Sequence, residues 1–139
     1  MVDTHVTLSG WTLDNPVIPA SGCFGYGEEF HELYDINVLG TFSFKGTTLE
    51  ARFGNPTPRI ADAPAGMLNA VGLQNPGVDD FITHELPFLR QYDVKIIANI
   101  SGNTPEEYGQ MCDKLSEAGV DMIEVNISCP NVKAGGLAY

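Results

Sequence analysis

The chain has 139 residues, a formal net charge of −11 and 43% hydrophobic residues, a balance that fits one globular domain and excludes a disordered chain. So acidic a surface repels a phosphate backbone, which excludes nucleic acid as a partner. No run approaches the roughly 18 apolar residues of a membrane span, and "MVDTHVTLSG" lacks the basic and apolar regions of a signal peptide, so no membrane is expected and a cytoplasmic location is the default.

In chain order, "THVTLSGWTLDNP" reads as a hairpin about a Ser-Gly turn, and "PVIPASG", residues 16–22, as a short strand. "EEFHELYDI" carries Phe30, Leu33 and Tyr34 at helical spacing and predicts a helix of two or three turns. "LGTFSFKGTT" predicts a strand ending at Lys45. Residues 50–77 are rich in Pro and Gly and read as one long irregular stretch, which in a compact domain is usually functional. A helix follows it, and "VKIIANIS" is then an apolar strand. "TPEEYGQMCDKLSEAG" is a helix with Thr104 as N-cap, Pro105 at its first position and Gly119 as its stop; Tyr108, Met111, Cys112, Leu115 and Ala118 share one face. "VDMIEVNIS" is the next strand. Strand, helix, strand at this spacing is a βαβ unit with parallel strands. The alternation means α/β, either a doubly wound sheet or a (β/α)8 barrel. Strands near 17–20, 41–45, 95–100 and 121–126 are expected side by side in that order.

In either architecture ligands gather beyond the carboxyl ends of the strands. Ser21, Lys45, Asn99 and Asn126 sit at such ends. An Asn side chain offers one acceptor and two donors without charge, which suits reading the edge of an amide-rich ring; capping a turn is the plainer role. Lys45, in an otherwise apolar strand, must reach solvent or an anion. Cys129, just past a strand end, suits a reactive thiol acting as nucleophile or base. Cys112 lies on the apolar helix face and reads as core; Cys23 reads as locally packed. The three cysteines form no C-x-x-C pair, and His5, His31 and His84 show no ligand spacing, so no metal is expected. "GCFGYG" lacks a dinucleotide or Walker fingerprint; Ala20, Ser21 and Gly22 instead let the backbone come close to a flat cofactor.

The segments "NPVIPASGCFGYGEE", "KGTTLEARFGNPTPRI", "GMLNAVGLQNPG" and "EVNISCPNV" together resemble the N-terminal half of a class 1 dihydroorotate dehydrogenase, and the resemblance covers essentially the whole chain. It implies an FMN-binding (β/α)8 TIM barrel, with an N-terminal β-hairpin, that oxidises dihydroorotate to orotate in pyrimidine (UMP) biosynthesis. It places Ser21, Lys45, Gly46, Asn99 and Asn126 at the flavin. It places Lys45, Asn69, Ala70, Val71, Gly72, Leu73, Asn126 and Asn131 at the substrate. It makes Cys129 the base that removes the C5 proton while hydride passes from C6 to FMN. The wording of "ASGCFGYGEE" and "RFGNPTPR" is most similar to the NAD-linked type 1B, a homodimer of catalytic chains joined by an electron-transfer subunit bearing FAD and an iron–sulfur cluster. The fumarate-linked type 1A is the near alternative. On this reading residues 1–139 are a single partial domain, a truncated half barrel holding four of the barrel strands and expected to be inactive by itself. The competing readings are a related flavin barrel, such as a dihydropyrimidine dehydrogenase domain or a dihydrouridine synthase, and a non-catalytic half barrel kept as a scaffold.

Overall fold

The structure is a computed structural model that describes residues 2–128. A hairpin comes first, β1 (Val6–Leu8) against β2 (Trp11–Leu13), turning at Ser9 and Gly10. A single helical turn follows, α1 (Glu28–His31), and then a 3-10 turn over Ile36–Val38. The chain continues through β3 (Thr41–Ser43), the hairpin β4 (Ile60–Ala63) and β5 (Gly66–Asn69), and a helical run of α2 (Val78–Asp80), a π-helical stretch Phe81–Glu85 and α3 (Leu86–Leu89). It closes with β6 (Lys95–Ile100), α4 (Pro105–Ala118) and β7 (Met122–Val125). β3, β6 and β7 form a parallel sheet in that spatial order.

The sheet is packed on one face by helices. Strand alternation turns Phe42, Phe44, Ile96, Ala98 and Ile100 toward Phe81, Leu89, Met111 and Leu115. Phe44 and Phe81 stack with ring centroids 4.0 Å apart. Each fully buried aromatic side chain of this kind contributes on the order of 2–3 kcal/mol. α4 forms as its sequence requires: Thr104 Oγ1 accepts from Glu107 N, Pro105 occupies the first turn, and Gly119 ends the helix in the left-handed region.

The amino ends of the strands are clamped. Lys95 Nζ lies 3.4 Å from Asp121 Oδ1 and 4.3 Å from the centroid of the Trp11 ring, which ties the first hairpin to the sheet. Ile96 N donates to Asp121 Oδ2 at 3.0 Å, and Thr41 Oγ1 donates to the Lys95 carbonyl.

Four expectations are corrected. Residues 17–20 run beside β3 in the parallel sense, through Gly40 N to Val17 O and Ser43 N to Pro19 O, but they are no regular strand; Pro16 and Pro19 have no N–H to give to a ladder. The helix over 28–36 is one turn, because the Asp35 side chain accepts from Asn37 N and begins a new turn there; Leu33 is 76% exposed. The stretch 50–77 is not wholly irregular, since it contains the β4–β5 hairpin. Its strands are almost entirely exposed, so they carry no alternating apolar pattern to read. Cys23 is exposed rather than packed; the neighbouring Phe24 takes the core position.

Candidate functional site

The polar residues of the sheet collect at its carboxyl edge. β3 gives up its regular geometry after Ser43, yet Phe44 N still donates to Ile97 O and Thr47 N to Asn99 O. Lys45 and Gly46 therefore bulge out between two tethered points. Lys45 is half-buried and forms no ion pair among the described residues. A Cβ on Gly22 would stand 3.6 Å from Lys45 Nζ, so the turn that carries Ser21 reaches the lysine.

Asn99 is 2% exposed, and its Oδ1 has no hydrogen-bond partner among the described residues. A Cβ on Gly46 would lie 2.8 Å from that oxygen and 3.0 Å from Leu73 Cδ1. A buried amide oxygen without a donor is uncommon, and it calls for a donor from water or from a ligand N–H or O–H. This is the point on which a flavin can be tested against the chain. A planar, amide-edged ring is one group that can supply the missing donor, and a glycine opposite is what lets the backbone pass so close to that oxygen. The residues fit FMN.

Asn126 follows β7 directly. Its N–H donates to Ile100 O at 2.9 Å, its carbonyl accepts from Tyr108 Oη at 2.6 Å, and its Oδ1 accepts from Ser128 N at 3.2 Å. The side chain thus shapes the turn that leads to Cys129. Cys129 and Asn131 lie outside the described residues.

Two clefts meet these residues. One, of about 580 Å³, lies on the sheet face opposite the helices, where Ala20, Ser21, Ser43, Ile97 and Glu124 line it. Ser43 Oγ donates to Glu124 Oε2 at 2.5 Å, reaching across β6 from strand to next-but-one strand. The other, of about 550 Å³, lies between Tyr26, Lys45, Arg52, Phe53, Val71 and Glu85. There burial raises the Glu85 carboxyl above its ordinary pKa, helped by the charges of Glu28 and Asp80. Burial likewise pushes the Tyr26 phenol up to about 12, against a 3.2 Å hydrogen bond with Thr47 Oγ1. Tyr26 thus stays a proton donor through the whole neutral range.

Of the sequence-predicted residues, the structure brings Lys45, Gly46, Leu73 and Asn99 together, with Ser21 beside them and Asn126 on the adjoining strand end. Asn69 ends β5 and is exposed, as is Ala70; Val71 lines the second cleft, and Gly72 and Leu73 are buried. Tyr26, Asn75, Glu85 and Glu124 were missed. Glu124 had a signal, a carboxylate inside an apolar strand. Tyr26 and Glu85 had none, because only the fold carries them to Lys45.

Comparison with known proteins gives the family and the fold. The sequence model of the family described as "Dihydroorotate dehydrogenase" matches residues 3–139. The chain is 60% identical over 135 residues to the dihydroorotate dehydrogenase B (NAD(+)) catalytic subunit of Anoxybacillus flavithermus, covering 96% of this chain and 43% of that protein. It is 59% identical over 136 residues to the protein of that name from Exiguobacterium sibiricum, covering 97% and 44%. The chain therefore spans less than half the length of the curated relatives it matches. Among solved structures, ligand-free DHODH from Eimeria tenella superposes with a TM-score of 0.76 at 22% identity, over 94% of this chain and 40% of that one. The complex of DHODH with ferulenol from the same organism gives 0.72 at 24%. At such identities the likeness carries the fold, and it makes the hairpin and parallel sheet the N-terminal portion of a (β/α)8 barrel. With the fold matched by the structures and nearly every residue matched by the sequence model, the chain belongs to the dihydroorotate dehydrogenase family.

Proposed function

We propose that this chain forms the first part of an FMN-dependent dihydroorotate dehydrogenase that oxidises dihydroorotate to orotate for pyrimidine synthesis. The observation that carries the reading is the buried, donor-less Asn99 Oδ1 facing Gly46, in a chain of this family. Residues 1–139 are then a partial domain of the barrel, working in the cytoplasm.

Ser21, Lys45, Gly46, Asn99 and Asn126 hold FMN, which when bound supplies the hydride acceptor. Lys45, Asn126, Asn131 and the run Asn69, Ala70, Val71, Gly72 and Leu73 bind the substrate. Orotate and dihydroorotate are carboxylates, and the chain around them has a net charge of −11. Lys45, with no acid paired to it among the described residues, offsets that field where the ring sits. Cys129 takes the proton from C5. Asn126 orients the turn into Cys129 through its bond to Ser128 N, with Tyr108 holding its carbonyl. The type 1B assignment draws on the relatives named as NAD(+)-linked catalytic subunits. It gives the chain a homodimeric partner copy and an electron-transfer subunit carrying FAD and an iron–sulfur cluster.

The test is made in the flavin-loaded holoenzyme, reading loss of flavin absorbance after dihydroorotate is added. Cys129→Ala is predicted to keep FMN and to slow that step about 10²–10⁴-fold, the usual worth of a positioned acid–base group. Cys129→Ser should retain more activity, best at high pH. Unchanged turnover by Cys129→Ala at neutral pH removes the thiol from the mechanism, and a purified protein without bound flavin removes the reaction class.

A further inference from the structure

The loop that carries residues 69–73 is tied to the segment after β3 by a buried side chain to which the reading above gives no part in binding or chemistry. Asn75 is 6% exposed and its amide is fully used. Oδ1 accepts from Thr48 N at 3.0 Å and from Gly77 N at 2.9 Å. Nδ2 donates to Thr48 Oγ1 and to the Leu73 carbonyl, each at 2.9 Å. Its backbone pairs with Arg52 in both directions, Arg52 N to Asn75 O at 2.9 Å and Asn75 N to Arg52 O at 3.0 Å. One side chain therefore links the segment after β3, the entry to α2 and the last residue of the loop.

Leu73 needs such a tie. It has φ +59°, in the left-handed region that residues with a Cβ disfavour, and Gly72 before it has φ +78°. Leu73 is also buried, with its Cδ1 against Gly46 in the cradle that holds Asn99 Oδ1. A disfavoured backbone persists only where its surroundings over-determine it. The bond from Asn75 Nδ2 to Leu73 O is what the surroundings supply on the carbonyl side.

We infer that Asn75 is a positioning residue: it sets the depth of the 69–73 loop over Gly46 and Asn99 and so sets the affinity for the planar anionic substrate. The inference rests on the proposal that this loop binds substrate. Asn75 stands at the wall of the second cleft with its amide turned into the protein, and it acts on the loop through Leu73.

The test uses the FMN-loaded holoenzyme and the flavin difference spectrum produced by orotate. Asn75→Asp keeps both acceptor bonds, to Thr48 N and Gly77 N, but loses the donors to Leu73 O and to Thr48 Oγ1, of which only the first holds the loop. The orotate Kd is expected to rise roughly tenfold, the worth of one such bond. The KM for dihydroorotate should rise alongside, while kcat at saturation and FMN content stay at the parent values. Asn75→Ala, which has no charge to repel an anion, should shift Kd in the same direction. Amide hydrogen exchange over residues 70–74 should quicken in both ligand-free variants, a readout that survives even if catalysis is lost. Parent-level Kd in Asn75→Ala, or unchanged exchange in both variants, overturns the inference, as does a loss of FMN and stability with Kd unaltered. A parent enzyme that gives no orotate spectrum overturns the substrate reading itself, an outcome distinct from any of these.

Discussion

A methyl group added at Gly46 would press on Asn99 Oδ1 at 2.8 Å and on Leu73 Cδ1 at 3.0 Å. Asn99 belongs to the central strand of the sheet, and Leu73 is held by Asn75, so neither neighbour gives way easily. Gly46→Ala is therefore predicted to lower the flavin content of the purified holoenzyme while its circular dichroism stays unchanged. A variant with parent-level flavin per chain would show that the cradle is not where FMN sits. The strand-end positions of Lys45, Asn99 and Asn126 were legible from sequence because a strand end is a place that local pattern can locate. Asn75 was not, since "QNPG" reads as a turn and the partners of its side chain, Thr48 and Leu73, meet it only after the fold has formed. Cys23 misled for a related reason: in "GCFGYG" either Cys23 or Phe24 can turn inward, and the larger ring won the core.

Among the elements, α4 was the most legible because its signals are local. Its cap, its first-turn proline, its apolar face and its glycine stop all lie within residues 104–119. Thr104→Ala removes the acceptor for Glu107 N, so stability should fall by about 1 kcal/mol with activity unchanged. Urea denaturation of the holoenzyme measures this, and an unaltered midpoint would mean that the helix start is held instead by the Glu107 carboxylate, which accepts from Asn103 N and Nδ2. The β4–β5 hairpin was illegible for the opposite reason. Its residues face solvent on both sides, so no buried stripe marks it, and only the turn residues Pro64 and Ala65, with Gly66 after them, hint at it. Residues 17–20 show a third case, in which an apolar run supplies the burial signal of a strand while its prolines withhold the hydrogen bonds.

At the scale of the molecule, the parallel order of β3, β6 and β7 followed from the βαβ pattern, whereas the choice between open sheet and barrel did not, because both begin alike. Among the described residues β7 pairs only with β6. Val125 is 52% exposed and Ile127 53%, beside the cleft lined by Ile18 and Ile97. Apolar side chains along a free strand edge favour pairing with another chain. The 139 residues produced by themselves are thus predicted to self-associate, with light scattering after size exclusion as the measurement; Val125→Lys should reduce the association. A stable monomer at high concentration would contradict this. The clamp at the opposite end of the sheet has a different consequence. Lys95, Asp121 and Trp11 fasten the amino ends of the strands independently of the loops at the carboxyl rim. A designer seeking a new ring specificity can therefore randomise the rim, residues 69–73 above all, while leaving the fastening untouched, and most of such a library should still express as folded protein.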